Sequence, residues 1–181
     1  EVKILEDLGL SIQNGKVIAS TPNDLNQIFE TEHFRFHYAI EGYDAVSNVD
    51  YILQMANVFE NVYLFYIDTL GFSPPIKDPI SDDDLYEVFI ENLPSYFFGI
   101  TYTKNSSVAS PSCVSYIKMR NNYIGSQFSD KTELENIQVT AVHEFFHAIQ
   151  FSYNCYEKFW FMEATAVWSE DELYDNVNDH Y

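Results

Sequence analysis

The chain has 181 residues, 46% hydrophobic and 17% aromatic, which suffices for the core of one domain and excludes a disordered chain. With 9 Lys and Arg against 28 Asp and Glu the formal charge is −19, so nucleic-acid backbones and anionic membranes would be repelled. No apolar run is long enough to span a bilayer.

In chain order, residues 1–31 carry little pattern and are expected to pack on or precede the main domain. They hold a short strand in KVIAS and a helix in TPNDLNQIFE. The sequence begins at Glu1 without a leader-like segment, as a processed or excised form would. HFRFHYAI alternates over 33–40 and predicts a strand. A long helix follows. Ser47 and Asp50 resemble its N-cap pair, Ile52, Met55, Ala56, Phe59, Tyr63, Tyr66 and Leu70 keep helical spacing, and Gly71 with Pro74 and Pro75 ends it.

The acidic run DPISDDDLYE lacks the spaced D-x-D-x-D-G loop that wraps calcium. An acidic, solubilising surface, common among extracellular proteins, accounts for it more simply. Three further strands are predicted in LYEVFIENL, YFFGITYT and CVSYIKMR. The loop before the last contains a glycosylation sequon at Asn105. Asp130 and Glu133 form a capping box for the helix carrying VTAVHEFFHAIQFSYN, and FWFMEATAVWSEDELY is a second helix after a break near Asn154. One strand, one helix, three strands and two helices make an α+β plan.

HEFFH is the candidate functional motif. On a helix, His143 and His147 lie on one face about 6 Å apart along the axis, so their imidazoles can converge on one ion. Glu144 is turned about 100° from His143, poorly placed to ligate but well placed to take a proton from water. Leu134, Ile137, Ala141, Phe145 and Ala148 form an apolar stripe on the other side. The histidine side is flanked by Phe146, Gln150 and Phe151, so the helix is apolar nearly all round. Buried histidines need partners, and a metal in a cleft would be one.

A third ligand must come from elsewhere. H-x-x-x-H-x-x-G-x-x-H would need Gly and His where Gln150 and Tyr153 stand, and no G-T-x-x-D segment follows. A glutamate on the second helix remains. The first helix climbs about 8 Å from His147 to Ser152, and an antiparallel helix starting at Phe159 returns about 6 Å by Glu163. That carboxylate would arrive level with the histidines. His33 and His37 stand about 13 Å apart on one strand face, too far for a shared ion, and read as structural. His180 is uninformative.

At HEFFH and WFMEATAVW the chain resembles the gluzincin metallopeptidases, in which HExxH is followed on a later helix by a W-x-x-E-x-x-A-like segment. More closely, it is similar to a family of predicted secreted bacterial metallopeptidases. That likeness runs through HFRFHYAIEGYDAV, VTAVHEFFHAIQFSY and WFMEATAVWSED, about residues 32–181. A D-x-N-G-N-G-x-P-D-Y insertion of some relatives is missing from YDAVSNVDY, so no calcium role is carried over.

The resemblance implies a zincin-like catalytic domain over 32–181: a mixed sheet, a long backing helix, the HExxH helix and a glutamate-bearing helix. His143, His147 and Glu163 would bind zinc and Glu144 would act as general base in a secreted peptidase of peptides or proteins. Glu170, on the face of Glu163, would hold a ligand from behind. CVSYIKMR would edge the cleft, where an extended peptide could add by backbone bonds. The two cysteines lack C-x-x-C spacing and fit either one disulfide or two buried thiols. In a zincin, Cys113 and Cys155 can lie side by side, favouring the bond.

Gluzincins usually carry a further helical subdomain with a Tyr or His for the oxyanion. The sequence to Tyr181 has no room for one. The domain is expected to lack it, with a further C-terminal region or an unassigned tyrosine taking its place. The alternative expectation is a non-catalytic extracellular structural or binding module that keeps the fold.

Overall fold

HFRFHYAI folds as its alternation demands: Phe34, Phe36 and Tyr38 point into the core, and Arg35 and His37 occupy the opposite, half-buried face. The computed structural model describes residues 10–13, 16–19, 25–94, 96–104 and 111–177. Asn105 and His180 lie outside the described residues. Two strands, β1 (Leu10–Gln13) and β2 (Lys16–Ala19), pair antiparallel.

The main sheet has five strands: β3 (Gln27–Glu30), β4 (Phe34–Tyr38), β5 (Tyr86–Glu91), β6 (Gly99–Thr103) and β7 (Ser115–Arg120). Their order is β3-β4-β5-β7-β6, with β4-β5 and β5-β7 parallel and the two outer pairs antiparallel. The architecture is a mixed α+β fold.

Two expectations change here. Gln27–Glu30 is a strand rather than helix, because its alternating exposure suits pairing with β4. CVSYIKMR does not edge the sheet: β7 is an inner strand and β6 takes the edge. Alternation alone is silent on strand order.

Helix α1 (Val49–Tyr63) continues as a π-helical segment to Thr69 and closes near Gly71, whose φ of 76° needs glycine. Its cap is Asn48, whose side chain accepts from the Tyr51 N–H at 3.0 Å, not the pair Ser47 and Asp50. Ile52, Met55, Ala56, Phe59 and Tyr66 are buried as their spacing requires, whereas Leu70 is exposed.

Helix α2 (Glu133–Asn154) starts two residues later than the capping box at Asp130 implied. Thr132 and Glu135 form the box, and the buried Asn136 amide ties down the carbonyls of Phe128, Lys131 and Thr132. Ile137, Ala141, Phe145 and Ala148 are fully buried, while Leu134 stays exposed on the first turn. Phe145 packs edge-on against Phe34 and Tyr86 at 5.3 and 5.7 Å. Such contacts set the core face of α2 and turn its other face towards helix α3 (Phe159–Tyr174).

His33 and His37 are structural, each with its own glutamate. His33 meets Glu60 at 2.7 Å and stacks on Tyr63; His37 meets Glu87 and stacks on Phe89. The acidic run is paired with cations instead of converging: Asp78 with Lys104, Asp83 with Arg35 and Asp84 with Lys77. No helix among the described residues is long and apolar enough to cross a membrane.

Cys113 and Cys155 form a disulfide with Cα atoms 5.7 Å apart. Cys113 lies in the loop before β7 and Cys155 caps α2, which ends at Asn154, where the sequence placed the break. Two backbone bonds of 2.9 Å, Cys113 N–H to Phe151 O and Cys155 N–H to Pro111 O, flank the link. Closing a loop of 42 residues restricts the unfolded chain by about 2–4 kcal/mol. The double variant C113S/C155S is therefore expected to melt about 4–16 °C lower, measured by calorimetry without reductant. Equal melting temperatures would show that the link adds no stability.

Candidate metal centre

The α2–α3 hairpin builds the site. Residues 143 and 147 are one turn apart on α2, and α3 returns antiparallel with Glu163 on the turn that passes them. Met162 and Ala166 bury the inner face of α3, leaving Glu163 on its flank. His147 is 8% exposed, the His143 side chain 19% and the Glu163 side chain 37%, so the cluster is sheltered but reachable from solvent.

The histidine Nε2 atoms are 3.1 Å apart. The Glu163 oxygens lie 3.4 Å from the one on His143 and 3.2 Å from the one on His147. These three residues, one donor atom each, form a group that could hold a metal ion. Glu144 is not a member of it.

The outer nitrogens fix the tautomers. Nδ1 of His143 meets Glu170 Oε1 at 2.7 Å; a carboxylate only accepts, so Nδ1 donates. Nδ1 of His147 meets Gln150 Oε1 at 2.7 Å. The Gln150 amide nitrogen donates to Met162 O at 3.0 Å and to Thr165 Oγ1 at 2.7 Å, which assigns Oε1 as acceptor. With both Nδ1 atoms donating, the Nε2 lone pairs face each other. Such a pair needs a cation between its members, a proton or a metal.

Local charge agrees. Burial lowers the His143 pKa, but Glu170, Glu144 and Glu163 outweigh it and raise it above its ordinary value. Burial and the neighbouring His143 push the His147 pKa down. Burial raises the Glu144 carboxyl, opposed by His143 and Thr101. Three acidic side chains, Glu144, Glu163 and Glu170, thus stand around the two imidazoles.

Glu144 turns towards the sheet. Its Oε2 accepts from the Thr101 hydroxyl on β6 at 2.7 Å. The hydroxyls of Tyr66, Tyr86 and Tyr123 are engaged beneath α2 with Val142 O, Ser115 and Phe98 O. None of the three supplies the oxyanion tyrosine that the sequence left unassigned.

Sequence reading brought His143, His147, Glu163 and Glu170 to one place, and the structure puts them there. It missed Gln150 and Thr101. Gln150 carried a signal, a polar residue three after His147 on an apolar helix. Thr101 carried none, since its partner is 43 residues away. In comparisons with known proteins, the chain matches no family model, no curated protein and no solved structure.

Proposed function

We propose that the protein is a zinc-dependent hydrolase of peptide bonds, built on the gluzincin plan its motifs resemble. One observation carries this reading: two imidazole nitrogens on one helix converge, and a carboxylate from a second helix stands beside both. A tetrahedral ion with bonds of about 2.0–2.1 Å holds neighbouring donor atoms about 3.3–3.4 Å apart. Here the two Nε2 atoms are 3.1 Å apart, and Glu163 meets them through different oxygens, Oε1 3.2 Å from His147 and Oε2 3.4 Å from His143, with one ligand atom from each residue within 4.8 Å of the others. Two imidazoles and one carboxylate are a catalytic zinc set, with the fourth position left open.

Zinc bound there supplies a Lewis acid that polarises a carbonyl and acidifies water. The protein does the rest. Glu170 and Gln150 hold the two imidazoles in the tautomer that offers Nε2 inward. Glu144, buried beside His143, accepts a proton from water and returns it to the leaving amine. Strand β6 turns one face to α2 at Glu144, and its outer edge, unpaired among the described residues, offers backbone groups to an extended chain, which favours a peptide as substrate. The disulfide suits an oxidising compartment, in line with an extracellular enzyme.

Protein purified without chelator is expected to carry about one zinc per chain and to cleave unfolded protein. Chelation should stop the cleavage and added zinc restore it. Elemental analysis and a fluorescence-release assay check both. Zinc without cleavage would point to a non-catalytic module that keeps the site; no zinc after reconstitution would overturn both readings.

A further inference from the structure

Edge strand β6 meets the zinc helix through two residues. Gly99 and Thr101 are two apart, so they share the strand face turned to α2. A Cβ at Gly99 would stand 2.7 Å from Thr140 Cγ2 and 2.9 Å from Glu144 Cγ, closer than side chains tolerate. Only glycine lets the strand lie this near Glu144.

That approach delivers the Thr101 hydroxyl, with Oγ1 2.7 Å from Glu144 Oε2 and 2.8 Å from the Glu144 carbonyl oxygen. The single hydroxyl proton is thus shared between the side-chain and the backbone oxygen of the same residue, bridging the two. A glutamate has three side-chain torsions, and their freedom opposes a fixed position for its carboxylate. The bridge removes that freedom. It occupies Oε2, while Oε1 has no hydrogen bond among the described residues and is absent from the fully buried, unsatisfied oxygens.

We propose that Thr101 is a positioning residue for Glu144: its hydroxyl clamps Oε2 and leaves Oε1 as the oxygen that exchanges the proton. This rests on the zinc-hydrolase reading above. The clamp also links the substrate side to the proton carrier, because β6 is both the sheet edge and the holder of Glu144. Holding a reacting group in place is worth about 100-fold in rate for a displacement near 1 Å.

The test compares Thr101→Val, which keeps the shape and loses the hydroxyl, with Thr101→Ser, which keeps the hydroxyl. Thr101→Val is expected to lower kcat by about 10–100-fold, with KM and zinc content unchanged, and Thr101→Ser to recover most of the loss. A merely structural role would change the melting temperature without this split. Crystal structures of both variants with zinc give a second readout independent of turnover: the Glu144 carboxylate should leave its position in Thr101→Val and keep it in Thr101→Ser. An unmoved carboxylate in Thr101→Val, or equal kcat in Val and wild type, would overturn the proposal. Absent turnover in wild type with a carboxylate that still moves in Thr101→Val would remove the enzyme reading and uphold the clamp.

Discussion

Glu144→Gln is expected to lower kcat/KM for peptide cleavage by about 10²–10⁴ while zinc content stays near one per chain. The substitution keeps the shape of the side chain, and its amide oxygen can still accept from Thr101. It removes only the capacity to take up and release a proton. Glu144 stands outside the three-residue cluster, so the metal should be indifferent to the change. A melting temperature within a few degrees of wild type confirms that packing is intact. Loss of zinc in the variant would recast Glu144 as a ligand, and unchanged cleavage would remove it from the reaction.

Glu163→Ala should have the opposite profile: zinc is lost and activity disappears with it. The Glu163 side chain is 37% exposed and its helix is anchored by Met162 and Ala166, so truncation costs little packing. The metal-free variant should therefore melt within a few degrees of metal-free wild type, the difference being its lost contacts with the two histidines. Zinc at about 100 times its dissociation constant adds about 2.7 kcal/mol to whatever binds it, roughly 5–11 °C for a chain of this size. Wild type should show that rise and Glu163→Ala should not, by scanning calorimetry with and without chelator. A variant that still melts higher with zinc would place the third ligand elsewhere.

The site was legible where it depends on helix geometry. A fixed rise per residue ties His147 to Ser152 and Phe159 to Glu163, so once the hairpin is assumed the carboxylate must return near the imidazoles. Glu170 follows two turns later on the same face. Caps were less legible because two overlapping patterns compete in DKTELE: Asp130 with Glu133, and Thr132 with Glu135. The Asn136 amide decides for the second by binding carbonyls that no local rule includes. Strand order was not legible at all. The inner position of β7 and the edge position of β6 follow from pairings such as Val88 with Ile117 and Thr101 with Ile117, long-range choices invisible to alternation. Thr101 was missed for that reason: its role appears only when β6 lies at the edge.

Helix α3 buries only Met162, Ala166 and Ser169, while Phe159, Trp160, Phe161 and Trp168 stand in solvent. Leu173 and Tyr174 add partly buried contacts to the core and Trp168 meets Phe146, and the polar ties to α2 include Glu163, Glu170 and the acceptors of Gln150, the groups that surround the candidate cation site. Cooperative units of a protein open in order of their own stability, and a helix with three buried side chains stands towards the weak end of that order. An ion bound as proposed would bridge α2 and α3 and add to the modest apolar contacts of α3. Binding and the closing of α3 would then be one equilibrium, in which the metal would act as a piece of core and its departure would free a foldon before it unfolded a protein.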